Sequence, residues 1–69
     1  MPKIAVPKIA VIDGQGGGIG SVIVKRLRED YGDKIELYAL GTNATATASM
    51  LKARANKGAT GRLLGRLIL

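Results

Sequence analysis

The sequence contains no cysteine and no histidine, and its only aromatic side chains are two tyrosines. The absence of both residue types excludes disulfide bonds and the thiolate and imidazole ligands of zinc sites. Catalysis that depends on a cysteine or a histidine is excluded on the same grounds. The core therefore has to be built from aliphatic side chains, within a single small domain of 69 residues.

No hydrophobic run approaches the ~20 residues that a membrane helix requires, and the amino terminus lacks the apolar stretch of a secretory signal. These absences favour a cytoplasmic protein that contacts no membrane.

Acidic residues are missing from the second half of the chain, where residues 44–69 contain Lys52, Arg54, Lys57, Arg62 and Arg66. Such a basic half either contacts phosphates, nucleic acid or an anionic membrane, or forms a solvated helix face followed by a basic tail, which we favour.

The chain begins with a repeat, since residues 2–6 and 7–11 both have the sequence PKIAV. Pro7 has no N–H, so we expect the strand to begin at Lys8 and residues 1–7 to be an extension. The first copy is an extra edge segment, an arm, or a consequence of where translation begins; we favour the last two. The apolar run from Lys8 to Ile12 is typical of a strand that is buried on both faces.

A glycine-rich segment and then a helix are predicted to follow this strand. Ile19, Ile23, Leu27 and Tyr31 recur at close to helical spacing, and they predict the buried face of the helix. Gly32 is expected to end the helix, because glycine readily adopts the left-handed conformation of a helix C-cap.

A second strand is predicted over residues 34–40, and a second helix from Thr42 or Asn43, both good N-caps, to Gly58. The face of that helix expected to pack on the sheet consists of Ala44, Ala48, Leu51 and Ala55. Alternation of strands and helices predicts an α/β fold with a parallel sheet. We therefore expect a β-α-β-α unit over residues 8–61, half of a Rossmann-like sheet. Residues 62–69 would form a basic, apolar tail or a short third strand.

The glycine-rich segment is the main functional signal. Gly14, Gly18 and Gly20 match the pattern G-x-x-x-G-x-G, whereas neither the P-loop pattern nor G-x-G-x-x-G fits. The first N–H groups of a helix have no partner within the helix, and a glycine loop lets a phosphate approach them. The pattern resembles the cofactor loop of short-chain dehydrogenases, where threonine usually stands in the place of Asp13. The alternative is a tight turn that allows the helix to pack closely on the strand.

The candidate cofactor-binding residues belong to this loop and to the end of the second strand. They are Asp13, Gly14, Gln15, Gly16, Gly17, Gly18, Ile19, Gly20, Thr42 and Asn43. Asp13 either accepts backbone N–H bonds and braces the loop, which we favour, or coordinates magnesium or acts as a base. Thr42 and Asn43 either contact a ribose or 2′-phosphate, or cap the second helix, which we favour.

The expected cofactor is NADP or NAD, or otherwise another nucleotide. An Asp or Glu usually follows the second strand of NAD-specific folds, and its absence here removes a repulsion against the 2′-phosphate of NADP. We predict no catalytic residue and no metal site. Tyr31 and Lys34 are one residue too close in sequence for the Tyr-x-x-x-Lys pair of short-chain dehydrogenases.

Two stretches resemble a family of short, uncharacterised bacterial and archaeal proteins known as a domain of unknown function. The first stretch is residues 8–20, and the second runs from Ala39 to Ala44 and on to Gly61. The resemblance implies a Rossmann-like fold and members about twice this length, and it implies no mechanism. The repeat at the start and the residues after Gly61 depart from the family.

Composition and motifs together favour a nucleotide-binding module that is non-catalytic by itself. One alternative is part of an NAD(P)-dependent oxidoreductase that another chain completes. A second is a small nucleic-acid- or ribosome-associated protein, which the lack of stacking aromatics disfavours. Half of a Rossmann-like sheet leaves an unpaired edge and an uncovered apolar face, so we also expect self-association or a partner chain.

Overall fold

The computed structural model describes residues 6–14 and 18–61, and within them three strands alternate with two helices. The elements are β1 (Lys8–Asp13), α1 (Gly18–Tyr31), a 3₁₀ turn (Gly32–Lys34), β2 (Glu36–Gly41), α2 (Ala44–Lys52) and β3 (Lys57–Thr60). All three strands are parallel, in the order β1-β2-β3. The predicted α/β class and half Rossmann-like sheet are thus confirmed. The third strand lies at 57–60, and the alternative at 62–69 falls outside the described residues.

Helix α1 packs on the sheet with a different face from the predicted one. Its buried residues are Gly20, Val24 and Arg28, whereas the side chain of Ile19 is 77% exposed. Ile23 and Tyr31 are exposed as well, and of the predicted face Leu27 alone packs against the core. The predicted buried face was therefore wrong, and the observed face is displaced by about one residue around the helix. The physical reason is Gly20, whose lack of a side chain lets the helix approach β1 and α2 closely. The predicted end at Gly32 is confirmed, since that residue adopts a φ of 54°.

Helix α2 is shorter than predicted and presents other residues to the sheet. It ends at Lys52 and not at Gly58, which lies within β3. Its buried residues are Ala46, Thr47 and Met50, so the predicted face of Ala44, Ala48, Leu51 and Ala55 was wrong. The chain leaves the helix through Arg54, which has a φ of 85°. The N–H of Asn56 then bonds to Leu37 O at 2.8 Å, which brings the chain alongside β2.

Both helices pack against one face of the sheet. The side chains of β2 that face the helices, Leu37 and Ala39, are fully buried and join Val11, Val24 and Met50 in the core. The prediction that β1 is buried on both faces was therefore wrong. Only one of its residues, Val11, is buried, because the described helices all lie on one side of the strand.

The opposite side of the sheet is called here the open face. It consists of Lys8, Ala10 and Ile12 from β1, Glu36, Tyr38 and Leu40 from β2, and Lys57 and Ala59 from β3. No described helix covers it, as expected for half of a Rossmann-like sheet. On this face Tyr38 Oη donates to Glu36 Oε1 at 2.8 Å, and this hydrogen bond raises the pKa of the tyrosine above its usual value.

A buried arginine that the sequence analysis did not single out connects three segments at the end of the fold where α1 and α2 finish. The guanidinium of Arg28 donates to the carbonyl oxygens of Gly32, Ile35 and Arg54, and to Oδ1 of Asn56, at distances of 2.7–3.2 Å. The same Asn56 oxygen accepts the N–H of Leu37 at 2.7 Å. One cation therefore holds together the end of α1, the start of β2 and the turn into β3.

Candidate functional site

The carboxyl ends of β1 and β2 lie side by side, so the two predicted halves of the site are neighbours. Asp13 is the sheet partner of Gly41, and the N–H of Thr42 bonds to Asp13 O at 3.0 Å. Both helices begin at this edge of the sheet, where their first N–H groups carry partial positive charge. This is the edge at which open parallel sheets bind ligands.

Asp13 braces the start of α1. Its Oδ2 accepts the N–H of Gly20 at 2.6 Å, a short hydrogen bond of the kind made by a charged acceptor. The favoured interpretation of this residue, a bracing role, is confirmed. No group of three or more candidate metal ligands occurs in the part of the chain that the structure describes.

The glycines of the predicted motif have different surroundings. A Cβ on Gly20 would lie 2.7 Å from both Asp13 Oδ2 and Met50 Sδ, so this position requires glycine for packing. A Cβ on Gly14 would lie 3.0 Å from Thr42 Oγ1. A Cβ on Gly18 would meet no atom of residues 6–14 or 18–61 within 4 Å, and this residue does not have a positive φ. Backbone conformation therefore does not require glycine at position 18, and no described atom fills the space beside it.

The structure describes only some of the remaining candidate residues of the glycine loop. Gln15, Gly16 and Gly17 lie outside the described residues. Ile19 is in the first turn of α1 with an exposed side chain. It therefore lies near the candidate site but packs against nothing in the core.

Of the two residues favoured as caps of the second helix, the structure uses Asn43 and not Thr42. Asn43 is the N-cap of α2, since its Oδ1 accepts the N–H of Ala46 at 2.8 Å. Its Nδ2 donates to Gly14 O at 3.2 Å, which ties the cap to the glycine loop. The favoured interpretation, capping, is thus confirmed for Asn43. The half-buried Thr42 hydroxyl makes no hydrogen bond within the described residues and lies beside Gly14.

Charge is distributed unevenly between the two ends of the sheet. At the carboxyl ends of the strands the described residues include no lysine or arginine, and Asp13 supplies a negative charge. Lys8 and Lys57 begin strands and Lys52 ends α2, so all three lie toward the opposite end. Tyr31 and Lys34 also lie at that end, away from the glycine loop. The structure therefore does not bring a tyrosine–lysine pair to the candidate site.

A shallow hollow of about 280 Å³ lies elsewhere on the molecule. It is lined by Lys25, Arg28, Glu29, Ala53 and Arg54, where α1 and the end of α2 meet. Arg28 is already engaged by protein oxygens there, and Glu29 offsets part of the positive charge. We therefore place the candidate site at the glycine loop, on the grounds of its backbone geometry, and not at the hollow.

The fold and the site define a small parallel α/β unit with a glycine-rich loop between its first strand and helix. Residues 8–64 match the model of the family described as "Domain of unknown function (DUF3842)", and the chain belongs to that family. No curated protein matches the chain, and no solved structure does. Within the described residues no helix is long and apolar enough to cross a membrane.

Proposed function

We propose that this chain is a Rossmann-like nucleotide- or phosphate-binding module, non-catalytic by itself. The observation that carries the proposal is that Gly14 lies beside Thr42, and Gly18 begins α1, at the edge of the sheet where both helices begin. Backbone N–H groups there offer hydrogen bonds and a favourable dipole to an anion. The catalytic groups of an oxidoreductase would have to come from another chain.

The space beside Gly18 supports this assignment. A side chain there would meet no atom of the described residues, so packing among them does not account for glycine at this position. A phosphate that approaches the first turn of α1 would account for it, because only glycine leaves the backbone fully accessible. The Thr42 hydroxyl, which is half-buried and without a partner in the described residues, lies beside Gly14 and is able to donate to the same ligand.

The central test compares Gly18→Val with Gly18→Ala and the unchanged protein. Both variants should stay folded, because neither a positive φ nor a close contact opposes the new side chain. Thermal-shift screening against NAD, NADP, ATP, FAD and polyphosphate identifies a ligand, and calorimetric titration then gives its affinity. Affinity should fall in the order glycine, alanine, valine. Equal affinity in all three folded proteins would falsify the proposed position of the phosphate.

Asp13 provides a second test, because its negative charge opposes an anion at the same place. In Asp13→Asn an amide oxygen can still accept the Gly20 N–H, whereas the charge is lost. Removing a unit charge several ångströms from the ligand in a partly solvated site is worth on the order of 1 kcal/mol. Phosphate-containing ligands should therefore bind up to about tenfold more tightly. If Asp13→Asn instead weakens binding, and does so only when the buffer contains magnesium, Asp13 would be a ligand of the metal ion.

For a dinucleotide we propose a small preference for NADP over NAD. Gly41, Thr42 and Asn43 present no carboxylate that would pair with the ribose hydroxyl and repel a 2′-phosphate. Lys52 and Arg54, the nearest basic residues in this part of the sequence, lie at the far end of α2 and add no charge pair. The preference should be a few-fold, about 1 kcal/mol at most. Titrations of both cofactors at moderate ionic strength test this, and tighter NAD binding would contradict it.

A nucleic-acid-binding function is the second candidate, favoured by three exposed cations near the end of α2 and the start of β3. These are Lys52, Arg54 and Lys57. Acidic residues of α1 and the following turn, including Glu29 and Asp33, lie toward the same end and reduce its charge. Binding to single-stranded RNA that falls steeply with salt, and that Lys52→Ala and Lys57→Ala weaken, would favour this function.

A further inference from the structure

The outer edge of β1 is unpaired within the described residues, and its hydrogen-bonding groups can be identified from the ladder with β2. Pro7 O accepts the N–H of Glu36, and Asp13 O accepts the N–H of Thr42, at 2.9 and 3.0 Å. Because residues of a parallel strand alternate between its two sides, the odd-numbered residues of β1 bond to β2. Lys8, Ala10 and Ile12 therefore direct both their N–H and their C=O away from the sheet.

These three residues form a self-complementary set. In an antiparallel pair, two residues that face each other exchange both of their backbone hydrogen bonds. If the two-fold axis passes beside Ala10, that residue pairs with the partner's Ala10, and Lys8 pairs with the partner's Ile12. Every outward N–H and C=O from Lys8 to Ile12 then has a partner, which these groups lack among the described residues.

A second observation points to the same side of the molecule. Helix α1 contacts β1, whereas α2 contacts β2 and β3, so the flank of α1 away from α2 lies toward the free edge. Lys25 and Ala53 line the same hollow, so Lys25 lies on the flank of α1 that faces the end of α2. Ile23 is two residues from Lys25, which corresponds to about 200° around the helix, so Ile23 lies on the opposite flank. Ile19 and Ile23 therefore lie on the flank near the free edge, with side chains 77% and 43% exposed.

We infer that two copies of this chain associate through antiparallel pairing of their β1 strands. The pairing continues the sheet into six strands in the order β3-β2-β1-β1-β2-β3, with both pairs of helices on the same face. The inward residues Ile9 and Val11 meet the partner's Val11 and Ile9, so the two cores become continuous. The two α1 flanks lie over the new junction, where their exposed isoleucines are removed from water.

The oligomeric state and one matched pair of variants test the inference. Sedimentation equilibrium of the full chain at high micromolar concentration should give twice its mass of 7.2 kDa. Ala10→Pro removes the central N–H from both copies while leaving the ladder with β2 intact, because this residue bonds outward. The dissociation constant of the Ala10→Pro dimer should be at least about tenfold higher than that of the wild-type dimer, since two hydrogen bonds are lost at the two-fold axis. Ala10→Val, which retains the N–H, should remain dimeric.

A second pair of variants tests the contribution of the helices. Ile23→Glu should weaken the dimer, whereas Leu51→Glu should not, since Leu51 is comparably exposed but belongs to α2. A dimer that survives both Ala10→Pro and Ile23→Glu in folded proteins would overturn the inference. So would a wild-type monomer at high micromolar concentration, which would mean that another part of the same chain covers the edge.

Hydrogen exchange of the wild-type protein tests the strand pairing even if Ala10→Pro fails to fold. The amides of Ile9 and Val11 bond to β2 and should be protected at every protein concentration. Those of Lys8, Ala10 and Ile12 should gain protection only as the concentration rises into the range where the dimer forms. Loss of this alternation, with all five amides protected equally in dilute solution, would refute the pairing.

Discussion

Replacing Arg28 with methionine tests the hydrogen bonds that connect the end of α1 to the start of β2 and the turn into β3. The arginine side chain is 8% exposed, and its guanidinium is surrounded by oxygens of Gly32, Ile35, Arg54 and Asn56. Methionine has a similar length and a similar helix propensity, so the change removes the donors and the charge with little loss of apolar packing. The carbonyl oxygens that remain would lose their partners in a partly buried site.

The expected loss follows from those hydrogen bonds. A hydrogen bond to a charged group contributes roughly 1.5–3 kcal/mol, and a buried acceptor left without a partner costs roughly 1–3 kcal/mol. Some of the oxygens here are only partly buried and can turn to water, so the full sum does not apply. We expect Arg28→Met to lower the free energy of unfolding by about 3–4 kcal/mol. A chain of this size has roughly 3–10 kcal/mol in total, so the variant should be unfolded or close to it.

Urea unfolding followed by circular dichroism measures the effect, and α1 itself supplies a matched control. Arg26 is two residues away, and its side chain is 78% exposed and 3.7 Å from Asp30. Arg26→Met should change the free energy of unfolding by less than about 0.5 kcal/mol, as is usual for an exposed ion pair. Arg28→Lys, which keeps the charge but offers fewer donors, should fall between the two. A loss below about 1 kcal/mol in Arg28→Met would show that water replaces the guanidinium freely and would refute the reasoning.

Three further substitutions test the ends of the helices, each by chemical unfolding. Gly20→Ala should lower the free energy of unfolding by about 1–3 kcal/mol, because its Cβ would overlap with Asp13 and Met50; an unchanged value would mean that α1 shifts easily. Asn43→Ala should cost about 1 kcal/mol through loss of the α2 cap and of the bond to Gly14, and Asn43→Asp should restore only the cap. Arg54→Gly should leave stability unchanged or raise it by up to about 1 kcal/mol, because glycine relieves a φ of 85°; a clear loss would show that the arginine side chain contributes packing.

Sequence reasoning succeeded where neighbouring residues determine the structure. Gly32 ends α1 in a left-handed conformation and Asn43 caps α2, and both follow from local backbone chemistry. Asp13 braces the loop because it stands directly before it and can reach the N–H of Gly20. The alternation of apolar segments and glycine turns was sufficient to predict the parallel α/β class.

It failed where the answer depends on contacts between distant segments. The apolar residues of α1 cover more than half its circumference, so the pattern allowed two rotations, and the packing of Gly20 against Asp13 and Met50 selects one. The sequence Lys-Gly-Ala-Thr at 57–60 has little β propensity and becomes a strand only by pairing with β2. Arg28 was indistinguishable from a solvated helix cation, since its partners are backbone oxygens from three other segments.

The carboxyl edge of the sheet allows one further distinction, between a ligand site and a purely structural turn. If Asp13 serves only to hold α1 against β1, Asp13→Asn weakens a charged hydrogen bond and lowers stability, with no other effect. If a phosphate also binds there, the same substitution lowers stability and raises affinity, because the carboxylate repels the ligand that its own loop attracts. Gly18→Val should behave differently, with an unchanged stability and a lower affinity. Packing alone cannot raise affinity in a destabilised variant and lower it in a variant of unchanged stability. Measuring both quantities in both proteins therefore separates the two explanations.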